Sequence, residues 1–498
     1  MEIKSAEDYR LLELFKQEWE YKLKKSPEMG TFIGDHRYNS FLSEISEEEI
    51  ITSYEHNKNL LEELNQFDLK LLNESNCLNH QLFKINIGNL PKDIEFKEYL
   101  MPINQMHGLQ NYFHRLISLM PYKKESNYYD YLSRLNAFPR QITQIIDLME
   151  KGIEKGYTVP RIAMLDVPNQ IKRQLPEDIT KSSFYQPLKN SNLSPSLKEE
   201  LENAIKNKLY SSFNKLKGYI ENKYLPACRD TLGMKYLPEG KAFYNHKLYE
   251  FTTTQMTAEE IHETGKKEVE RIFQEIQELM KKVGFEDYEK FLDYLRTNPD
   301  FYFTDENTLL MHYRDFAKRV DKELPAFFKK LPRLPFAIEK IPEHQAPSCP
   351  TAYYMRPDFN MTRPGIYYAN TYQLETRPKY EIEALTLHEA VPGHHLQICL
   401  ALELGEVPEF RKSASFTGYI EGWALYTEKL GAEMGFYTDL YSKFGQLSFE
   451  IWRACRLVID TGLHAFDWTR EKAIEYMQYY TGKSEPACAV EVDRYIVM

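Results

Sequence analysis

The chain has 498 residues with 63 lysines and arginines against 74 aspartates and glutamates, a net charge of −11 with the two signs mixed along its length. That balance argues against nucleic acid as the main partner, because phosphate binding needs a basic stripe. No run of eighteen apolar residues exists, so no membrane span is expected. 

The first helical pattern covers residues 5–26, with Leu11, Leu12, Leu14, Phe15, Trp19 and Leu23 at helical spacing. The opening Met1-Glu2-Ile3-Lys4-Ser5-Ala6-Glu7-Asp8 lacks the apolar segment of a secretory signal. The six cysteines are far apart and form no C-x-x-C pair, which suits a reducing compartment. The expected location is therefore cytoplasmic, with a secreted form left open. Residues 28–45 read as a loop-rich insert. Helix returns from Ser46 to about Asn73, then through 78–88, 108–119 and 127–156. Residues 157–195 are broken by Pro160, Pro168, Pro176 and Pro187. Another helix opens at Ser194-Pro195, an N-cap followed by proline at the first position.

Pro226, Gly233, Pro238 and Gly240 punctuate 223–247 and suggest a join between an N-terminal helical lobe, 1–240, and a C-terminal lobe, 241–498. Residues 257–284 form a strong helix after the capping pattern Thr257-Ala258-Glu259-Glu260. Two or three more helices fill 287–330, and 331–365 is proline-rich. Ile366, Tyr367, Tyr368, Thr371 and Tyr372 give 365–373 the makeup of a strand. That strand either lines a cleft, where it pairs with extended substrate, or belongs to a buried hairpin.

The chemistry concentrates in Leu387-His388-Glu389-Ala390-Val391-Pro392-Gly393-His394-His395, followed by Glu421-Gly422-Trp423-Ala424-Leu425-Tyr426. Three imidazoles beside carboxylates suit Zn²⁺, which in catalytic sites takes three protein ligands. On one unbroken helix His388 and His395 would share a face about 10.5 Å apart, and His394 would point away. Pro392 and Gly393 weaken the helix, and a bulge absorbing two residues there returns His394 to the face of His388. His388 and His394 are the preferred ligands with Glu389 as general base, and His395 is the alternative second ligand. His262-Glu263 also begins His-Glu, but no second histidine follows at a useful spacing, so it reads as a polar helix start.

These motifs, with Pro364-Gly365-Ile366-Tyr367-Tyr368-Ala369-Asn370-Thr371 and Arg377-Pro378-Lys379-Tyr380, resemble the "domain of unknown function 885" family. Gly34-Asp35-His36-Arg37-Tyr38 and Met101-Pro102-Ile103-Asn104 fit the same pattern, so the likeness covers nearly the whole chain. That family is similar to zincin-type zinc metallopeptidases. The resemblance implies a mostly α, two-lobed, zincin-like fold with a small β element beside the active-site helix and a cleft favouring short peptides. It also implies Glu421 as third ligand. Glu428 is read either as a carboxylate orienting a ligating imidazole or as a solvated helix residue. Candidates for stabilising a developing oxyanion are His464, Tyr495, Arg453 and Arg456, with His464 and Tyr495 preferred because both match the family pattern. Family members continue past the segment resembling Tyr495-Ile496-Val497-Met498, so a truncated C-terminus is expected.

The expected function is zinc-dependent hydrolysis of peptide bonds. Metal-dependent hydrolysis of another amide or ester, and a non-catalytic binding protein derived from a metallopeptidase, are the alternatives.

Overall fold

The computed structural model describes residues 4–343, 346 and 349–497. Met1, Glu2, Ile3 and Met498, which bear on the reading of the two ends, lie outside the described residues. The chain is mostly helical with one small sheet. No helix among the described residues is long and apolar enough to cross a membrane.

Two compact units emerge. The first comprises residues up to His246, with Pro408–Ala414 and the segment from Asp493 onward; the second comprises Lys247–Val407 and Ser415–Val492. The division falls inside the helix Gly240–Thr252, in a region whose glycines and prolines read as a join. In the first unit a run of helices closes around Phe113, Phe138, Phe184 and Phe213, all fully buried. The insert read as loop contains a short helix, Pro27–Ile33, started by proline and ended by Gly34 in the left-handed region.

In the second unit the helix Ala258–Lys282 begins with a reciprocal cap. The Thr257 hydroxyl accepts from Glu260 N at 3.2 Å, and the Glu260 carboxylate accepts from Thr257 N at 2.8 Å. Its buried stripe of Ile261, Gly265, Val269, Ile272 and Ile276 packs on the long helix Leu440–Ala465. Gly265 permits the close crossing, since a Cβ there would lie 2.7 Å from Leu457 Cβ. His262 sits in this seam with Nδ1 2.7 Å from Thr461 Oγ1, a buried structural histidine.

The sheet has the order β1 (Phe336–Lys340), β3 (Gly365–Ala369), β2 (Ala352–Met355). β1 runs parallel to β3 with Phe336 opposite Gly365, and β2 runs antiparallel with Tyr354 opposite Tyr367. β3 is therefore the central strand. Both its edges are hydrogen-bonded, so of the two readings of this stretch the one in which it pairs with an incoming peptide is not met. Tyr367, fully buried on β3, meets Tyr313 edge-on at 5.4 Å, in the core that also holds Leu385, Leu387 and Ala390.

Candidate metal centre

The segment expected to be one distorted helix is two. The first, Ile382–Glu389, ends at Ala390, whose φ of −100° and ψ of −111° leave helical space; the second, His394–Leu402, begins after Gly393. Between them the Val391–Pro392 peptide is cis. The bulge within a continuous helix is thus replaced by a full break. The chain folds back so tightly that a Cβ on Gly393 would collide with the carbonyl oxygens of Leu387 and His388. Only glycine allows this approach.

The neighbouring helix Thr417–Glu433 pins the break. Trp423 Nε1 donates to Pro392 O at 2.8 Å, and Thr427 Oγ1 donates to Leu387 O at 2.9 Å. Since the same helix carries Glu421 and Glu428, the bonds that fix the turn also set the carboxylates against the imidazoles. His388 Nε2 lies 3.6 Å from one Glu421 oxygen and His394 Nε2 3.8 Å from the other. The two rings meet edge-on with centroids 4.7 Å apart. One donor atom from each of His388, His394 and Glu421 lies within 4.8 Å of the other two.

That donor set fits a divalent cation. Donors on a tetrahedral centre with bonds of about 2.0–2.1 Å stand roughly 3.3 Å apart, a few tenths of an ångström inside the 3.6 and 3.8 Å that separate Glu421 from the two imidazoles. The electrostatics agree. Burial and the neighbouring His388 hold His394 below its ordinary value, which keeps it a neutral imidazole able to give a lone pair. Glu421 keeps 56% of its side-chain surface exposed, so its desolvation is partial, and the two imidazoles outweigh it and hold the carboxyl below its usual range. His394 Nδ1 is buried without a hydrogen-bond partner among the described residues.

His388 is oriented from behind. Its Nδ1 stands 2.7 Å from Glu428 Oε1, and Glu428 is fully buried. Arg453, from the long helix, reaches the same oxygen at 2.9 Å and approaches His388 Nδ1 at 3.1 Å. Burial opposes a charged His388, yet the bonds from Glu421 and Glu428 raise it above its ordinary value. A carboxylate behind a ligating imidazole fixes which nitrogen is protonated and leaves the other for the ion. Of the two readings of Glu428, the buried contact with His388 is the one found.

Glu389 follows His388 and is 8% exposed. Burial raises its carboxyl above the usual range, and His388, Glu421, Arg453 and Glu428 all lie within its electrostatic reach. Its carboxylate makes no hydrogen bond among the described residues, so it is a buried acid within electrostatic reach of the cluster.

His395 is not brought to the cluster. Its Nδ1 is 2.8 Å from the Tyr354 hydroxyl and its Nε2 is 2.9 Å from Leu334 O, so both ring nitrogens are committed to the sheet side. Arg453 serves Glu428, and Arg456 pairs with Glu491 at 3.6 Å and lies over the Trp452 ring. His464 is buried on the same helix as Arg453, eleven residues on, about 16 Å along the axis at 1.5 Å per residue. Tyr495 belongs to the first unit, whereas every residue of the cluster belongs to the second. Trp423, Thr427 and Tyr354 are the positioning residues that spacing did not single out. The first two sit within the stretch that also carries both glutamates, which was the available signal.

None of the curated proteins compared with the chain matches it. Among solved structures, a protein of Colwellia psychrerythraea provisionally described as a lipoprotein is similar with a TM-score of 0.93 at 24% identity, covering 99% of this chain and 90% of that one. A protein of unknown function from Shewanella oneidensis, given the same provisional description, is similar with a TM-score of 0.77 at 14% identity, covering 98% and 89%. At these identities the likeness is one of fold. The family described as "bacterial protein of unknown function (DUF885)" matches residues 27–498, nearly the entire chain, and the chain belongs to that family.

Proposed function

We propose that the protein is a zinc-dependent hydrolase that cleaves peptide bonds, with short peptides as substrates. The observation that carries the reading is the convergence of His388 Nε2, His394 Nε2 and a Glu421 oxygen beside a buried, otherwise unbonded Glu389. His388, His394 and Glu421 would hold the ion. When bound, zinc supplies Lewis acidity toward a carbonyl oxygen and lowers the pKa of water.

Glu389 takes a proton from the attacking water as the carbon–oxygen bond forms, and returns it to the amine nitrogen as the carbon–nitrogen bond breaks. Its raised pKa suits both halves of that task, since a base poised nearer neutrality both accepts and donates readily. Glu428 and Arg453 hold His388 in the tautomer that presents Nε2. The Pro392–Gly393 turn, tied to Trp423, keeps His394 facing it.

Two measurements test the reading together: metal content of the purified protein, and cleavage of a mixed peptide library. Roughly one zinc per chain with cleavage that disappears in Glu389→Gln supports it. Folded protein that takes up no zinc overturns it and favours a binding protein on the same scaffold. Zinc without peptide cleavage, but with hydrolysis of small amides or esters, redirects it to another substrate class.

A further inference from the structure

The first unit contains an open cleft of about 420 Å³, and every residue lining it belongs to that unit. One wall is Lys206, Tyr210, Asn214 and Lys217, three or four residues apart in turn and so one stripe of a helical run. Lys206 and Tyr210 lie in its π-helical segment, Ile205–Tyr210, a widened turn that is rare and recurs at functional sites. The facing wall starts at Lys172, near the end of the helix Val167–Arg173, and continues through Leu175, Pro176, Glu177 and Ile179. The volume lies within the range of ordinary ligand pockets.

The charges around the cleft do not cancel. Lys172 and Lys206 are exposed, and neither is paired with a carboxylate among the described residues. Lys217 bonds Glu221 at 2.7 Å. Glu177 is the carboxylate on the lining. Asp178, next in the chain, turns one oxygen to Thr180 N at 3.0 Å and to Thr180 Oγ1 at 2.7 Å, with Lys181 and Lys189 beside it. The run 203–220 carries Lys206, Lys208, Lys215 and Lys217 and no acidic residue. The cleft therefore stays positive after Glu177, Asp178 and Glu221 are counted.

The uncharged groups narrow the occupant. The Tyr210 hydroxyl is buried without a hydrogen-bond partner among the described residues, and the Ser182 hydroxyl beside it donates to Gln174 O at 3.3 Å. A buried hydroxyl left without an acceptor is costly, and a ligand oxygen would supply one. Leu175, Pro176, Ile179 and the Tyr210 ring give the cleft an apolar floor. Among the described residues no arginine lines it, so the planar fork that grips a carboxylate is absent. Lysine acts as a point charge, and ammonium groups on two walls beside a phenol donor suit the several terminal oxygens of a phosphoryl group.

We propose that this cleft binds a phosphate monoester carrying a compact apolar group. The phosphoryl head sits among Lys172, Lys206 and Lys217 and accepts from the Tyr210 hydroxyl, and the apolar group rests on Leu175, Pro176 and Ile179. This is a binding site on the first unit, and it does not rest on the hydrolase reading.

The test uses the full-length protein and phenyl phosphate as probe, with inorganic phosphate and phenol as its two halves. Calorimetry at low salt is expected to show phenyl phosphate saturating by about 1 mM, at least fivefold tighter than either half, and weakening as salt is added. Lys172→Gln/Lys206→Gln alters exposed side chains and should weaken binding at least tenfold. Lys208→Gln/Lys215→Gln removes the same charge from outside the cleft and should change it less than twofold. Amide hydrogen exchange on adding the probe is expected to slow in residues 171–179 and 205–217. Phosphoryl oxygens also bind metal ions, so protection confined to residues 388–421 overturns the proposal. No saturation by about 1 mM, equal losses in the two double variants, or inorganic phosphate binding as tightly as the ester overturns it too. Binding of phosphatidate vesicles by a protein that ignores phenyl phosphate would replace the compact ligand with a lipid surface, and the proposal would fall.

Discussion

The Nδ1 atom of His388 donates to Oε1 of Glu428 over 2.7 Å, which leaves Nε2 as the nitrogen presented to Glu421. Glu428 is buried, and its charge is answered by Arg453. Replacing Glu428 with glutamine keeps the shape but leaves the Arg453 guanidinium facing an imidazole with no anion between them. Zinc affinity should fall about 10- to 100-fold, the usual effect of losing the group behind a ligating histidine. Competition with a chromophoric chelator measures it, and Glu428→Asp should recover part of the loss. Unchanged affinity in Glu428→Gln would mean that the ring is held by packing alone.

Glu389→Gln separates holding the ion from using it. The side chain keeps its volume and lies outside the ligand set, so zinc content should match that of the unaltered protein. Turnover of a cleaved peptide should fall by about 10²- to 10⁴-fold, the range for removing a general base. Loss of zinc in this variant would place Glu389 among the ligands and require a different base.

Gly393→Ala tests the turn. The added methyl has nowhere to go, because it meets the carbonyl oxygens of Leu387 and His388 in the helix the turn folds against. Backbone must move, and His394 moves with it. The expected result is a destabilisation of about 1–3 kcal/mol, as for overpacked interiors, together with weaker zinc binding. Urea unfolding in the presence of chelator isolates the first effect, and chelator competition reads the second.

How far the sequence reached depended on the range of the interaction. His388 and Glu389 stood out because histidine beside glutamate is a local pattern, whereas Glu421 came from the family resemblance and lies one turn into the helix Thr417–Glu433 rather than at its start. The choice between His394 and His395 was not local. It is made by Tyr354 and Leu334, 41 and 61 residues earlier in the chain, which take both nitrogens of His395. The break between the helices depends on a non-helical Ala390 and a cis bond before Pro392, which no periodicity encodes. Arg453 is paired with a glutamate 25 residues away on another helix, so sequence alone offered it only as one of several cations. β3 was legible from its composition. Its central place was not, because β1 and β2 lie in a proline-rich stretch that reads as loop. The helix Gly240–Thr252 was hidden for the same reason, behind glycine and proline that turn out to precede and open it.

His395 provides the pH dependence. It is 1% exposed, and burial pushes its imidazole down to about 4, against about 6.5 in an unfolded chain. The folded state therefore binds fewer protons than the unfolded state between those values. Stability contributed by the neutral ring is fully present above pH 6.5 and is lost as the pH falls toward 4. A difference of about 2.5 units is worth on the order of 3 kcal/mol at 1.36 kcal/mol per unit. Urea midpoints with chelator present should drop between pH 7 and pH 4.5 in the unaltered protein. His395→Gln should start lower at pH 7, having lost the fit to Tyr354 and Leu334 O, and should show a shallower decline over the same interval. An equal slope in both proteins would assign the acid sensitivity to other groups.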